Sequence, residues 1–535
     1  MQNTSKTWPL NAIVYQIYPR SFQDSNNDGV GDLQGIISRL DYLADLGINT
    51  VWLSPIYPSP MVDFGYDVAD YCDIDPVYGT LDDFKELLEQ CHKHGIKLLM
   101  DLIPNHTSTQ HKWFLESKKS KKNAFRDYYI WKNAHPGNGG VPNNWLSCFG
   151  GSGWEFDAET GQYYLHSFAK EQADLNWRNP EVVKEMLNVL RFWLDLGIDG
   201  FRVDVPEWMI KDDRFRDEPE NPEYKPGPQS DPYQQLIHKY THAQKEYLDI
   251  VKQFIGVLEE YEHKFMVTEV WSPSEQMIKV YNEIERDFFA PFNFFIITHP
   301  WEAKIHRQVI DHYDSRVTHV YTPTYVLGSH DKARAASRIG HEQLRIAALL
   351  LFTLRGIPFV YYGEEIGMED TPIPPEKVHD PFEKNVPGMG LGRDPERTPM
   401  QWNDKTFAGF SEQEPWLPVN DNYKKVNVEK LIADDTSLYA LYKELIELRQ
   451  NSEALLTGKY SSWDTGVDEI FAYTRHAGSE VILVILNYSK KSHKITLPFR
   501  KGKLILDSHG TLKKGTDMLL YNLEVPANNG YLVNI

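Results

Sequence analysis

Gly197-Ile-Asp-Gly-Phe-Arg-Val-Asp204 closes a helical stretch with glycine and isoleucine, then runs straight into a short apolar strand that carries two charges. Glycine suits the left-handed position just past a helix, and the isoleucine starts the strand. The same junction recurs at Gly47-Ile48 before Thr50–Leu53, at Gly95-Ile96 before Lys97–Leu102, and at Gly356-Ile357 before Phe359–Tyr362. The segments ahead of these strands have helical periodicity, with Phe84, Leu87, Leu88 and Cys91 on one face and Val183, Leu187, Leu190 and Leu194 on another. Ala12–Tyr18, Met266–Val270, Tyr325–Leu327 and a weaker run near Phe288 complete about eight strands, each a buried run of the parallel-sheet kind. Polar residues follow many of these strands rather than one, as a ring of loops requires. The expected fold is therefore α/β, a (β/α)8 TIM barrel.

Two interruptions shape the domains. Residues 104–174 form a Gly/Trp/Asn-rich stretch too long for a strand-to-helix loop, so a small inserted domain is expected after the third strand. Helical periodicity stops near Leu455, and Val481–Leu486, Lys494–Leu497 and Lys503–Leu506 point to a C-terminal antiparallel β-sandwich over 455–535. The barrel then takes 1–103 and 175–454, with Thr371–Gln401 as a long loop after the eighth strand.

The formal charge of −20 on 535 residues repels polyanions, which argues against nucleic acid or anionic membrane as partners. Cys72, Cys91 and Cys148 are too few and too widely spaced for a disulfide framework or a metal knuckle. Met1–Pro9 has no apolar stretch of signal-peptide length, and no run is long enough to span a bilayer, so a cytoplasmic location is expected.

Arg202 and Asp204 alternate onto one side of their strand, and an inward-facing charge in a barrel needs a partner or a ligand. The guanidinium would hold Asp204 ionised, as a nucleophile requires; a structural ion pair at the barrel mouth is the alternative. Glu269 has Val267, Val270 and Trp271 for company, which favours the protonated form of a general acid, although a solvated strand-end glutamate would read the same way. Asp331 follows His330 at the end of the next-to-last strand. Carboxylates at separate strand ends, two of them pushed toward opposite protonation states, suit glycoside hydrolysis. The Glu364-Glu365 pair is expected to be solvated. His92, His94 and His111 form no ligand set.

Asp24-Ser-Asn26-Asn-Asp28-Gly-Val30-Gly-Asp32 puts three carboxylates on one tight turn, where a hard cation would relieve their repulsion. It opens like an EF-hand loop, but Gly35 stands where the twelfth-position Glu belongs, so that reading fails.

From Ala12-Ile-Val-Tyr-Gln-Ile-Tyr-Pro-Arg20 through Asp63-Phe-Gly-Tyr-Asp67, Asp101-Leu-Ile-Pro-Asn-His106 and Gly200–Asp204 to Gly392-Arg-Asp-Pro-Glu-Arg-Thr-Pro-Met-Gln-Trp402, the chain resembles the alpha-amylase superfamily (glycoside hydrolase family thirteen), most closely its alpha-glucosidase and oligo-1,6-glucosidase branch. The resemblance implies Asp204 as nucleophile, Glu269 as acid/base and Asp331 as transition-state stabiliser. It places Arg202, His106 and His330 around the reacting sugar, Tyr66 under its ring, and Phe168 and Gln172 across the pocket. Asp63 would grip the terminal hydroxyls together with Arg393 or Arg397. In the 24–32 loop it implies a structural Ca2+ or Mg2+ held by Asp24, Asn26, Asp28, Val30 (through its carbonyl) and Asp32, and no organic cofactor. The family usually has Asn where this chain has Ser329, so a changed local network is expected there.

The implied activity is that of a retaining, exo-acting alpha-glucosidase on short oligosaccharides, monomeric or weakly dimeric. Val205 leans toward alpha-1,6 cleavage, while Pro206-Glu-Trp208 and Lys211–Tyr224 look like mixed-specificity enzymes that also take alpha-1,4 bonds. A transglycosylating relative shares the same intermediate. A non-catalytic relative would need a membrane anchor and would lack the carboxylates, and a metal-dependent barrel lyase would need carboxylates free to converge on Mg2+.

Overall fold

The computed structural model describes residues 8–137, 139–227, 230–272, 274–317 and 322–535; most of the Met1–Pro9 segment lies outside them. Eight parallel strands build the barrel: β1 Val14–Ile17, β2 Thr50–Leu53, β3 Lys97–Leu102, β4 Gly200–Val203, β5 Phe265–Glu269, β6 Phe289–Phe292, β7 Thr324–Val326 and β8 Ile357–Tyr361. Their order around the sheet is β6-β5-β4-β3-β2-β1-β8-β7, so the ladder opens only between β6 and β7. Pro291 in β6 has no N–H to give that seam. The Thr324 hydroxyl closes it instead, donating to Pro291 O (2.9 Å) and accepting from Asn293 N (2.9 Å).

The helix–strand junctions behave as their residues dictate. The Leu81–Lys93 helix starts at a capping box of Thr80 and Asp83, and the Pro180–Leu196 helix is capped by Asn179 and ends at Gly197 in the left-handed region (φ 106°). Gly356 differs from the expected pattern, because the preceding helix already stops at Thr353. Gly200 matters most: a Cβ there would stand 1.8 Å from Phe265 O, so only glycine lets β4 and β5 approach this closely. Those two strands carry residues 204 and 269.

The insertion rises from the end of β3. His106–Ser108 pairs antiparallel with Gln172–Asp174 at its base, and a three-stranded sheet of Trp131–Lys132, Gln162–Leu165 and Trp154–Asp157 stands above. Past residue 458 the chain forms a six-stranded antiparallel sheet faced by the ribbon His493–Ile495/Leu523–Val525. Leu483, Ile485, Leu504 and Val533 pack against Ile495 and Val525 in a second core between them. All three cysteines are free thiols. Among the described residues no helix is long and apolar enough to cross a membrane.

Glu364 and Glu365 are buried (5 % and 0 % exposed), contrary to the solvated pair expected. Tyr15 and Tyr42 donate to Glu365 (2.8 and 2.5 Å), and Tyr361 N donates to Glu364 (2.5 Å). Burial pushes the Glu364 carboxyl up to about 8. An acid raised in the folded state lowers stability as pH climbs from its unfolded value toward the folded one. Glu364→Gln is therefore expected to leave stability unchanged below pH ~4 and to raise it by roughly 3–5 kcal/mol near pH 8, read by urea unfolding at both pH values.

Candidate active site

The C-terminal ends of the strands surround a cavity of about 370 Å³, near the lower end for small-ligand sites. Of the residues singled out in the sequence, Asp63, Tyr66, His106, Phe168, Gln172, Asp204, Glu269, His330, Asp331 and Arg393 line it. Arg202 and Arg397 lie just behind the lining, fully buried.

One guanidinium organises the floor. Arg202 reaches Asp204 (2.8 Å) through one terminal nitrogen and Glu269 (2.7 Å) through the other, and it also holds Asp101 (2.7 Å). Asp101 faces Arg202 directly across β3 and β4, and it accepts from Tyr66 Oη (3.0 Å) and Trp52 Nε1 (3.2 Å). Trp52 also lies under the guanidinium, at 4.9 Å.

Burial raises the pKa of both Asp204 and Glu269, and Arg202 opposes the rise in each. This corrects the expected opposite shifts: the two carboxyls sit in the same desolvated place, rather than occupying one polar and one greasy niche. Asp331 behaves differently. Burial works to raise it, but the guanidiniums of Arg393 (3.1 Å) and Arg397 (3.0 Å) overcome this and hold it far below the usual carboxylate range, with the His330 ring 3.2 Å away. His106 falls to about 4 through burial, and His330 falls well below its ordinary value for the same reason, so both rings are neutral hydrogen-bonding groups.

The far wall is ionic. Arg393 binds Asp63 (2.7 Å) and Asp380 (2.6 Å), while Arg397 turns to Asp331 and to His330 O (2.7 Å). Of the two arginines left open by the sequence, Arg393 is thus the partner of Asp63. Gln172 bridges Asp63 (3.1 Å) and His106 (3.1 Å). Tyr66 lies parallel to His330 (centroids 5.3 Å apart, 6° between planes). At Ser329 the hydroxyl accepts from Asp331 N (3.3 Å), a short-range network in place of the longer amide.

Sequence reasoning missed Asp101 and Asp380, which hold the two central arginines. Asp101 could have been found as the inward charge at the level of Arg202 in the neighbouring strand. Asp380 gives no local signal. Also missed was the opposite wall, where Cys148, Trp208, Asp231, Tyr233, Trp271 and Lys332 line the cavity.

The 24–32 loop lies apart, packed on residues 410–416 through Asp24 N to Phe410 O (3.1 Å) and Trp416 N to Gly29 O (3.0 Å). Asp24 accepts N–H groups from Asn26, Asn27 and Gly29, and Asp32 accepts from Ser25 and Gly35. Among the described residues no group of three or more His, Cys, Asp and Glu side chains is assembled around a metal position. The donors of the loop are all oxygen, which fits a hard cation in kind.

A parallel barrel whose strand ends converge three carboxylates and a guanidinium on one small cavity defines the class of barrel glycoside hydrolases. The alpha-amylase catalytic domain matches residues 16–458. The chain belongs to the alpha-amylase family and is a glycoside hydrolase. It is 40 % identical over 527 residues to an oligo-1,6-glucosidase of Parageobacillus thermoglucosidasius (92 % of each chain). It is 41 % identical over 509 residues to an alpha-glucosidase of Apis mellifera (91 % of this chain, 86 % of that one). In structure it is similar to the alpha-glucosyl transfer enzyme XgtA, with a TM-score of 0.92, 33 % identity and 98 % and 99 % of the two chains covered.

Proposed function

We propose that this protein is an exo-acting alpha-glucosidase that hydrolyses terminal alpha-linked glucose from short oligosaccharides by double displacement with retention. One observation carries the reading: a single guanidinium holds Asp204 and Glu269 side by side, in keeping with the short carboxylate separation of about 5–5.5 Å that retaining enzymes use.

In this reading Asp204 attacks the anomeric carbon as a carboxylate. The glycosidic C–O bond breaks as Glu269 gives its proton to the leaving oxygen. Water then attacks the same carbon, Glu269 takes its proton, and the bond to Asp204 breaks. The cycle needs one proton on Glu269 and none on Asp204, and the Arg202 guanidinium beside Asp204 favours its ionised form. Asp331, held ionised by its cationic neighbours, stabilises the positive charge that develops on the sugar ring, and neutral His106 and His330 bond its hydroxyls. The Asp63–Arg393 wall ends the pocket, so a chain can enter only by its terminal glucose.

Both linkages, alpha-1,6 and alpha-1,4, are compatible with this pocket. Transfer to a sugar acceptor shares its first half-reaction, a reading supported by the transfer enzyme among the structural relatives. The test is incubation with isomaltose, maltose, sucrose and trehalose, and with a maltooligosaccharide blocked at its non-reducing end, products being separated by chromatography. Glucose is expected from isomaltose or maltose and none from the blocked chain. Equal cleavage of blocked and free chains would contradict the exo reading.

We also propose a structural Ca2+ or Mg2+ held by Asp24, Asn26, Asp28, Asp32 and the Val30 carbonyl, with no part in bond breaking. Elemental analysis should find about one such ion per chain, and EDTA should lower the melting temperature while turnover of the folded enzyme persists. Metal-free protein with an unchanged melting temperature would refute it.

A further inference from the structure

The loop after β4 reaches across to Glu269, at the end of β5, and to the segment just beyond it. Val205 has φ 34° and ψ 51°, a left-handed backbone that is an outlier for a β-branched residue. From there its N–H donates to Glu269 Oε2 (3.3 Å). Two residues on, Glu207 is fully buried, and its Oε2 accepts the backbone N–H groups of Trp271 (2.9 Å) and Ser272 (3.2 Å). These are the second and third residues beyond Glu269, where the β5 ladder has already ended. His242 Nε2 stands 3.3 Å from the same oxygen.

The other oxygen of Glu207 is buried with no hydrogen-bond partner among the described residues. Burying a carboxylate with one oxygen unsatisfied is costly, and a neutral acceptor could support the loop with less penalty. Strain at residue 205 and desolvation at residue 207 therefore concentrate on one target, the segment that carries Glu269. Glu207 also fixes Trp271, which stacks on Phe294 (4.3 Å, 5°), has the Lys332 ammonium 5.0 Å from its ring, and lines the pocket.

We propose that Val205 and Glu207 are positioning residues, a two-point clamp that sets the carboxyl of Glu269 and the Trp271 wall against the leaving group. The inference rests on the reading of Glu269 as the acid. In the first half-reaction a clamp of this kind matters where a proton must be delivered to the departing oxygen, because proton transfer depends steeply on the placement of the donor.

The experiment compares two substrates: whichever of isomaltose and maltose the parent cleaves, whose leaving group needs the proton, and alpha-glucosyl fluoride, whose fluoride leaves without one. Glu207→Leu is expected to lower kcat/KM, which reports only on the steps up to the glycosyl-enzyme, by about 10–100-fold on the disaccharide and by less than about 3-fold on the fluoride. Glu207→Gln keeps an oxygen for the two N–H groups and should restore most of the difference. Should Glu207→Leu fail to fold, Glu207→Asp, with its carboxylate drawn back by one methylene, carries the same comparison. Equal losses on both substrates, or none on either, would overturn the clamp. Glu269→Gln, compared in kcat/KM so that the loss of the base in the second step does not enter, separates the two claims: if it spares the fluoride, the acid reading stands whatever Glu207 does, and if it lowers both substrates alike, that reading and the clamp fall together.

Discussion

Replacing Asp204 by Asn is expected to lower kcat on any alpha-glucoside by on the order of 10^4-fold or more while leaving the chain folded. The amide is isosteric and can still accept from Arg202, so the polar contact on the floor of the cavity persists. What disappears is the oxygen charge that attacks the anomeric carbon. Removing one of the three carboxyls around Arg202 also changes the electrostatic surroundings of Glu269. Circular dichroism and the melting temperature should match the parent to within a few degrees. Turnover within tenfold of the parent would remove Asp204 from the mechanism.

Arg202→Leu is the second large effect, and it acts on stability as well as rate. The parent guanidinium sits among Asp101, Asp204 and Glu269 with 1 % of its side chain exposed. Without it three buried carboxyls face one another, and breaking a buried ion pair from one side costs about 3–5 kcal/mol. The cost has a definite pH dependence. With Arg202 gone the folded-state pKa values of these acids rise further above their unfolded values. Stability is then retained below about pH 4, where the acids are neutral in both states, and is lost as pH rises through the raised folded values. Urea unfolding at pH 5 and pH 8 should show the larger deficit at pH 8. An equal or smaller deficit at pH 8 would mean that the carboxylates do not depend on Arg202.

Much of this architecture is legible in the chain because parallel strands and their preceding helices leave local marks. Thr50–Leu53, Lys97–Leu102 and Gly200–Val203 are bounded in the structure as the residues imply. The strand near Phe288 is the weakest to read, and Phe289–Phe292 shows why: Pro291 interrupts the run and leaves that edge to a side-chain hydrogen bond. The cavity lining was readable because each predicted side chain follows a strand or stands in a distinctive motif. Partnerships between strands were harder. Asp101 lies inside an apolar run, and only the register of β3 on β4 brings it to Arg202. Asp380 joins Arg393 through the fold of a loop that has no periodicity. Glu364 and Glu365 look solvated in sequence because the tyrosines that cover Glu365 come from residues 15 and 42, more than three hundred positions earlier.

The central claim is that Asp204 and Glu269, held on one guanidinium, act by two successive displacements at a single carbon. The most direct measurement is proton NMR of the anomer released first, recorded during early hydrolysis of an alpha-glucoside before mutarotation mixes the forms. Two displacements restore the original configuration, so alpha-glucose should appear first. Beta-glucose as the first product would mean a single displacement by water and would contradict the account.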